Sequence, residues 1–393
     1  MSKNLYCAPA YTGGSTCFTE EALHNFVTAW NTRVKKKGGS RTNLIDLSQS
    51  HKKILDQVRG KFQKYCTSDH CLLSLDFLND LPIKQYRKIQ DCFRPEHPVS
   101  WLKDKTEWLS TTDIDDVLEQ YDEARPDFKY FGAVPLDFDK KLSSNSCVSD
   151  ELCTLDLKKL YKKGITKLGV VFNLDPHDKP GSHWMCMFVN INTGASYYYD
   201  SYGVPPEKEC LDLMQRIQKQ GNEMLLDGTL DFDDIDNQHT KYLQIQDIKG
   251  SKKILIKDKG NIGKNQVIFV RQKTKRSKQP YSIKKAVKRK DGRKIVKLNA
   301  SVCNELKQCC GNPSRLQDWD IVCKGFHCFF NNVRYQRKES ECGTYGIYFI
   351  VQMLEGKTFY DLIHERITDD KMNDLRYSLY WRKPITTIQT SVD

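Results

Sequence analysis

The sequence lacks any unbroken apolar stretch of about 18 residues or more, so no membrane-spanning helix is expected. Its start, MSKNLYCAPAYTGGSTC, lacks the apolar run of a secretory signal, and the protein is expected to be made and kept in the cytosol. No internal repeat is present. The 15 cysteines are odd in number and would sit in a reducing compartment, so a disulfide framework is not expected. They read instead as buried small hydrophobes, metal ligands or a nucleophile. Cys303, Cys309, Cys310, Cys323 and Cys328, with His327, fall within one span, but they lack the tight C-x2-C pairing of zinc sites. No metal or cofactor is assigned.

What is present is a 393-residue chain with 39% hydrophobic and 28% charged residues, enough to bury a core and hold two or three domains. Its net charge of +12 is concentrated. Lys241 to Ala300 hold 20 Lys and Arg against three Asp, a local +17, so the remainder carries −5. Clustered lysines of this kind fit a nonspecific DNA or acidic partner. No recognised reading motif accompanies them, and a solvated loop is the competing explanation.

Residues 1–100 read as a helical N-terminal domain with an interaction or regulatory role. FTEEALHNFVTAW (18–30) has apolar residues at helical spacing behind a Thr19 cap, and KKKGG (35–39) ends it. HKKILDQVRGKFQKY (51–65) and LNDLPIKQYRKIQDCF (78–93) continue the pattern, and FRPEHPVS (93–100) reads as a linker. Residues 101–393 form the second expected domain. A helix over 108–128 opens at Ser110 or Thr111 and stops near Pro126. Strands follow at 167–175, 183–191 and 195–203, then a helix at 209–225. A lysine-rich insertion spans about 230–318. Within it 252–257 and 266–271 are strand-like, and 274–294 reads as a loop or mobile hairpin. Residues 320–336 read as a strand returning to the core.

Within RYQRKESECGTYGIYFIVQML (334–354), Cys342 precedes Gly343 and an apolar helix. A helix N-terminus favours a thiolate, and the Cys342 amide could donate to an oxyanion. Taken alone, a cysteine in that setting is more often structural. His183 opens a strand, and Asp200 ends the next one 17 residues on. Adjacent antiparallel strands would bring the two side by side, as a His–Asp hydrogen bond requires. Either residue alone reads equally as an ordinary strand-edge or turn residue.

Taken together, GSHWMCMFVNINTGASYYYDSYG and QRKESECGTYGIY resemble the Ulp1/adenain-type cysteine proteases in residue type, order and spacing, over about 101–225 and 318–360. The resemblance implies an α+β fold, a papain-like core of a central mixed sheet flanked by helices. It implies Cys342 as nucleophile, His183 as general base and acid, Asp200 as its orienter and Gln336 as an oxyanion donor. Trp184, Trp108 and Gly343 fall where the family binds substrate, Trp184 also shielding the His–Asp pair. WLS at 108–110 departs from the family's WLN-type opening. The inserted segment and the separate N-terminal helices make the chain most similar to the virion-maturation proteases of nucleocytoplasmic large DNA viruses. That implies a monomeric endopeptidase of the viral factory in the host cytoplasm and of the virion, cutting capsid and core precursors after Gly-Gly or Ala-Gly. Two alternatives stand beside it: a SUMO- or ubiquitin-like-specific isopeptidase, and a DNA-binding protein on an inactive protease fold.

Overall fold

A computed structural model describes residues 6–143, 145–231, 241–257, 267–272, 275–276, 280–291, 293–302, 319–381 and 387–392. The chain divides into two compact units. One comprises residues 1–126, 334–355 and 361–393, the other 127–333 and 356–360.

The first unit is helical: α1 (Glu20–Lys36), α2 (His51–Phe62), α3 (Ile83–Gln90) and α4 (Thr111–Ala124). Thr19 caps α1 by accepting from the Ala22 amide, and Ser110 with Asp113 forms a full capping box on α4. The stretch expected to be helical over 78–93 yields the end of a 3-10 turn (Asp76–Asp80) and then α3, because Pro82 cannot continue a helix and serves as the N-cap of α3. Phe18, Phe26, Trp30, Phe62, Phe77 and Phe93 pack edge-on in one cluster that also buries Trp381 and Val392. The helical segment of residues 1–100 therefore shares its core with the end of the chain.

The second unit is built on a five-stranded mixed sheet: β1 (Phe128–Pro135), β2 (Lys167–Asn173), β3 (Trp184–Asn190), β4 (Ala195–Tyr199) and, later in the chain, β12 (His327–Phe330). The outer pairs β1–β2 and β4–β12 are parallel and the inner pairs antiparallel. Short helices α5 (Asp150–Cys153) and α6 (Leu157–Lys162) precede β2. The 19-residue α7 (Lys208–Leu226) lays Cys210, Leu213, Met214 and Ile217 into the core with Met185, Met187 and Tyr198 of the sheet. Gly221 is required in α7 because a Cβ there would come within 2.4 Å of the Phe326 ring. Together these elements form an α+β core with a central mixed sheet.

The inserted segment departs from expectation. It contains β5 (Lys241–Gly250), β6 (Lys253–Ile256), β7 (Val267–Gln272), β8 (Lys275–Arg276), β9 (Tyr281–Lys288), β10 (Lys294–Leu298) and β11 (Trp319–Lys324). The order β11-β5-β6-β10-β9-β7 returns to β11, so six strands close on themselves around Ile254, Ile256, Ile268, Val296 and Ile321. The stretch 274–294, read as loop or mobile hairpin, thus supplies β8, β9 and the first residue of β10. Its alternating apolar residues Tyr281 and Ile283 point into the barrel, a period the density of lysines obscured. The single strand expected over 320–336 is two strands in two sheets, broken at Gly325–Phe326.

The C-terminal part adds α8 (Cys342–Leu354), α9 (Phe359–His364) and α10 (Asp369–Leu379). Among the described residues no helix is long and apolar enough to cross a membrane. The cysteine expectation is corrected: Cys7–Cys17, Cys66–Cys71 and Cys147–Cys153 are disulfides. Each joins residues five to ten apart, brought together by local turns that spacing along the whole chain does not show. Cys323 lies in the barrel core and Cys328 on β12, while Cys303, Cys309 and Cys310 fall outside the described residues.

Candidate active site

Strands β3 and β4 pair with Asn190 opposite Ala195 and Cys186 opposite Tyr199. Carried outward, this register puts Tyr202 opposite His183 and Asp200 one diagonal step away on the same face. Both positions are used. The Tyr202 ring stacks on the His183 imidazole at 4.6 Å between centroids, and His183 Nε2 lies 2.6 Å from Asp200 Oδ1. His183 and Asp200 are both buried, where a short hydrogen bond fixes the ring's orientation and tautomer.

Asp200 is itself held on every side. Its Oδ1 also accepts from the Tyr202 amide (3.1 Å) and its Oδ2 from the Val204 amide (2.9 Å). Gly203, at φ +73°, makes the turn that aims these amides inward. The Asp200 backbone is gripped by Asn331: Asp200 N–H donates to Asn331 Oδ1 (2.9 Å) and Asn331 Nδ2 donates to Asp200 C=O (2.7 Å). Asn331 is buried and directly follows β12, which runs parallel to β4, so it arrives level with Asp200. Tyr202 and Asn331 were not foreseen from the residues. The register of β3 and β4 could have yielded Tyr202; Asn331 depends on a pairing made after the whole barrel.

Cys342 is the first residue of α8 and is buried, with buried Glu341 before it and Thr344 after it. Gln336 is also fully buried. Gly343 is tightly placed: a Cβ there would meet Leu109 Cβ at 3.0 Å and Cδ1 at 3.1 Å. Leu109 leads into the α4 cap, so the start of α8 is packed against the segment that carries Trp108. Trp108 is 44% exposed, unusual for an indole, whereas Trp184 is buried at the start of β3 opposite Asn173. Cys342, Gln336, Gly343 and Trp108 belong to the helical unit, and His183, Trp184 and Asp200 to the sheet unit.

Several other thiols are chemically quiet. Burial pushes Cys186 well above the ordinary thiol range, with the Asp200 charge adding to it. Burial also raises Cys210, Cys92 and Cys328, the last to about 11. Such thiols stay protonated at neutral pH and are poor nucleophiles. Among the described residues no three or more His, Cys, Asp or Glu side chains gather as a metal site.

No family model matches the chain. Over 226 residues it is 34% identical to "Putative thiol protease R355" of Acanthamoeba polyphaga mimivirus, an alignment spanning 54% of this chain and 72% of that protein. The chain belongs to this viral thiol protease family. The resemblance to cysteine proteases of large DNA viruses, read from the motifs, is thereby borne out. Among solved structures, the ASFV pS273R protease matches with a TM-score of 0.48 at 16% identity, over 86% of this chain and 92% of that one. The SUMO protease Ulp1 matches with a TM-score of 0.30 at 12% identity, over 69% and 77%.

Proposed function

We propose that this family member is a thiol endopeptidase in which Cys342 attacks the scissile carbonyl and His183 and Asp200 manage its proton. The observation that carries the reading is the buried His183–Asp200 pair at 2.6 Å. With Nε2 committed to Asp200, Nδ1 is the nitrogen that takes the Cys342 proton and later delivers it to the leaving amine. The assignment requires Cys342 Sγ within hydrogen-bond reach of Nδ1 during the reaction. The Cys342 amide and the Gln336 side chain would stabilise the oxyanion, and water then cleaves the acyl-enzyme. Trp108, exposed beside the Leu109–Gly343 contact, and Trp184 are assigned to the substrate channel. Cleavage after Gly-Gly or Ala-Gly in viral capsid and core precursors, in the viral factory and the particle, is the specificity that the resemblance to the virion-maturation proteases implies. The test is a panel of Gly-Gly-X precursor peptides beside SUMO- and ubiquitin-fluorophore probes. Cleavage of the peptides, abolished by Cys342→Ser, supports the reading; cleavage of the modifier probes alone overturns it in favour of the isopeptidase, which the family match does not favour.

A second role rests on one row of the barrel. Lys297 lies opposite Lys253 on one side and Lys285 on the other, so three exposed ammonium groups stand abreast across β6, β10 and β9. Like charges directly opposed destabilise a sheet, and neighbouring strands lie only about 4.8 Å apart. Among the described residues of this segment, Asp247 and Asp291 are paired with Lys249, Arg289 and Arg293. A phosphate backbone relieves such a row, and the flanking Leu255, Ile295 and Val287 offer no aromatic platform for bases. We assign the row to duplex DNA without sequence preference. Triple Lys→Ala substitution should reduce the slope of log affinity against log salt by about 2–3. An unchanged slope refutes this role.

A further inference from the structure

Five residues, 337–341, separate Gln336 from Cys342, and this segment is held from one side. α10 presents Asp369, Asn373 and Arg376 at positions i, i+4 and i+7, one face of a helix. Asp369 Oδ2 accepts from the Arg337 and Lys338 amides, both at 2.9 Å. Its Oδ1 lies 3.1 Å from the hydroxyl of Tyr345, one turn into α8. Asn373 Nδ2 donates to Glu341 Oε1 at 2.8 Å. Arg376 donates to Ser340 C=O at 2.8 Å and to Glu107 C=O at 2.5 Å, with its guanidinium 5.1 Å from the Trp101 ring centroid.

The chemistry of this grip is unusual. Arg376 and Glu341 are both fully buried, and desolvation depresses the Arg376 pKa while the Glu341 and Cys342 charges work against that depression. Burying two opposite charges beside one loop is costly unless geometry and hydrogen bonds compensate, and replacing such groups by apolar ones is often neutral for stability. The groups they bind are the Arg337, Lys338, Ser340 and Glu341 links of the segment that joins the oxyanion donor to the nucleophile. A shift of about 1 Å in such a segment is worth about a hundredfold in rate.

We infer that the Asp369–Asn373–Arg376 face of α10 is a positioning device that fixes the 337–341 segment, and with it the Cys342 amide relative to the Gln336 side chain. The inference rests on the assignment of Cys342 as nucleophile. These residues touch no reacting atom; they act through the segment. The Asn373 contact is the adjustable one, since it can be removed without exposing a buried charge pair.

The test uses the full chain and four variants: Asn373→Ala, Asn373→Asp, Arg376→Lys and Cys342→Ser. Peptide hydrolysis, the pH profile of Cys342 alkylation by iodoacetamide and the thermal midpoint are measured on each. Asn373→Ala should lower kcat about tenfold with KM within about twofold, because an oxyanion contact is lost only in the transition state. Asn373→Asp, which sets a carboxylate against Glu341, should lower kcat further and shift the alkylation profile to higher pH. Arg376→Lys keeps the charge but replaces the guanidinium fork that reaches both carbonyls with a point ammonium, so it should also lower kcat. A fall in thermal midpoint with kcat unchanged overturns the inference and leaves α10 a plain structural helix. Full activity in Cys342→Ser overturns the nucleophile assignment itself, and the inference with it.

Discussion

Replacing Asn331 by alanine removes both hydrogen bonds that clamp the Asp200 backbone, at 2.9 and 2.7 Å, in a place water does not reach. Each orphaned backbone group costs about 1–3 kcal/mol, so the pair should cost roughly 2–4 kcal/mol after partial relaxation. For a unit of about 200 residues that corresponds to a fall in Tm of about 5–15 °C. The functional consequence runs through register. Asn331 keeps the end of β4 level with β12, and Asp200 Oδ1 is where His183 Nε2 anchors. If Asp200 swings by about 1 Å, kcat should fall about 10–100-fold while KM changes little. Asn331→Asp is the sharper variant: it still accepts from the Asp200 amide but cannot donate to its carbonyl, and it adds a carboxylate beside Asp200. It should be the slower enzyme of the two. Fluorogenic peptide kinetics at a temperature well below the lowered Tm separate the two effects. Wild-type kcat and Tm in Asn331→Ala would refute the clamp.

Gly343→Ala should destabilise by about 1–3 kcal/mol, because the new methyl sits 3.0 Å from Leu109 Cβ and 3.1 Å from its Cδ1; denaturant unfolding checks this. Asp227 is held at about 2 by hydrogen bonds from Lys158 and Thr229, below its unfolded value near 3.9. Its contribution is therefore present above the unfolded pKa and lost as pH falls through about 2. Because the pair is half exposed, Asp227→Asn should cost at most about 1 kcal/mol at neutral pH, with the gap to wild type closing between about pH 4 and 2. Exchanging Cys7 and Cys17 together for alanine should cost about 2–3 kcal/mol under non-reducing conditions and far less in dithiothreitol, since loop closure is the source of the gain.

What could be read from the residues follows the range of the interactions. The Thr19 cap, the Ser110–Asp113 box and the β2–β3–β4 strands are set by neighbours within a few residues, and each is legible. The His183–Asp200 pair is nearly as local, since one short turn fixes the register of β3 against β4. The barrel was hidden because its inward period of two is carried by a few Ile, Val and Tyr residues within a lysine-dense sequence. The role of Asn331 was hidden for a different reason. It depends on β12 returning beside β4 after more than a hundred residues, and nothing near Asn331 in sequence reports that pairing. The α10 face is an intermediate case: the i, i+4, i+7 spacing is visible, but its partners are backbone groups thirty residues away.

The central claim concerns one sulfur atom. Incubating the full chain with a Gly-Gly peptide carrying a thiol-reactive electrophile, and mapping the adduct by mass spectrometry, tests it most directly. One adduct is expected, on Cys342, formed at a rate that falls at least about a hundredfold in His183→Ala through loss of the general base. An adduct on another cysteine, or undiminished labelling of Cys342 without His183, would contradict it.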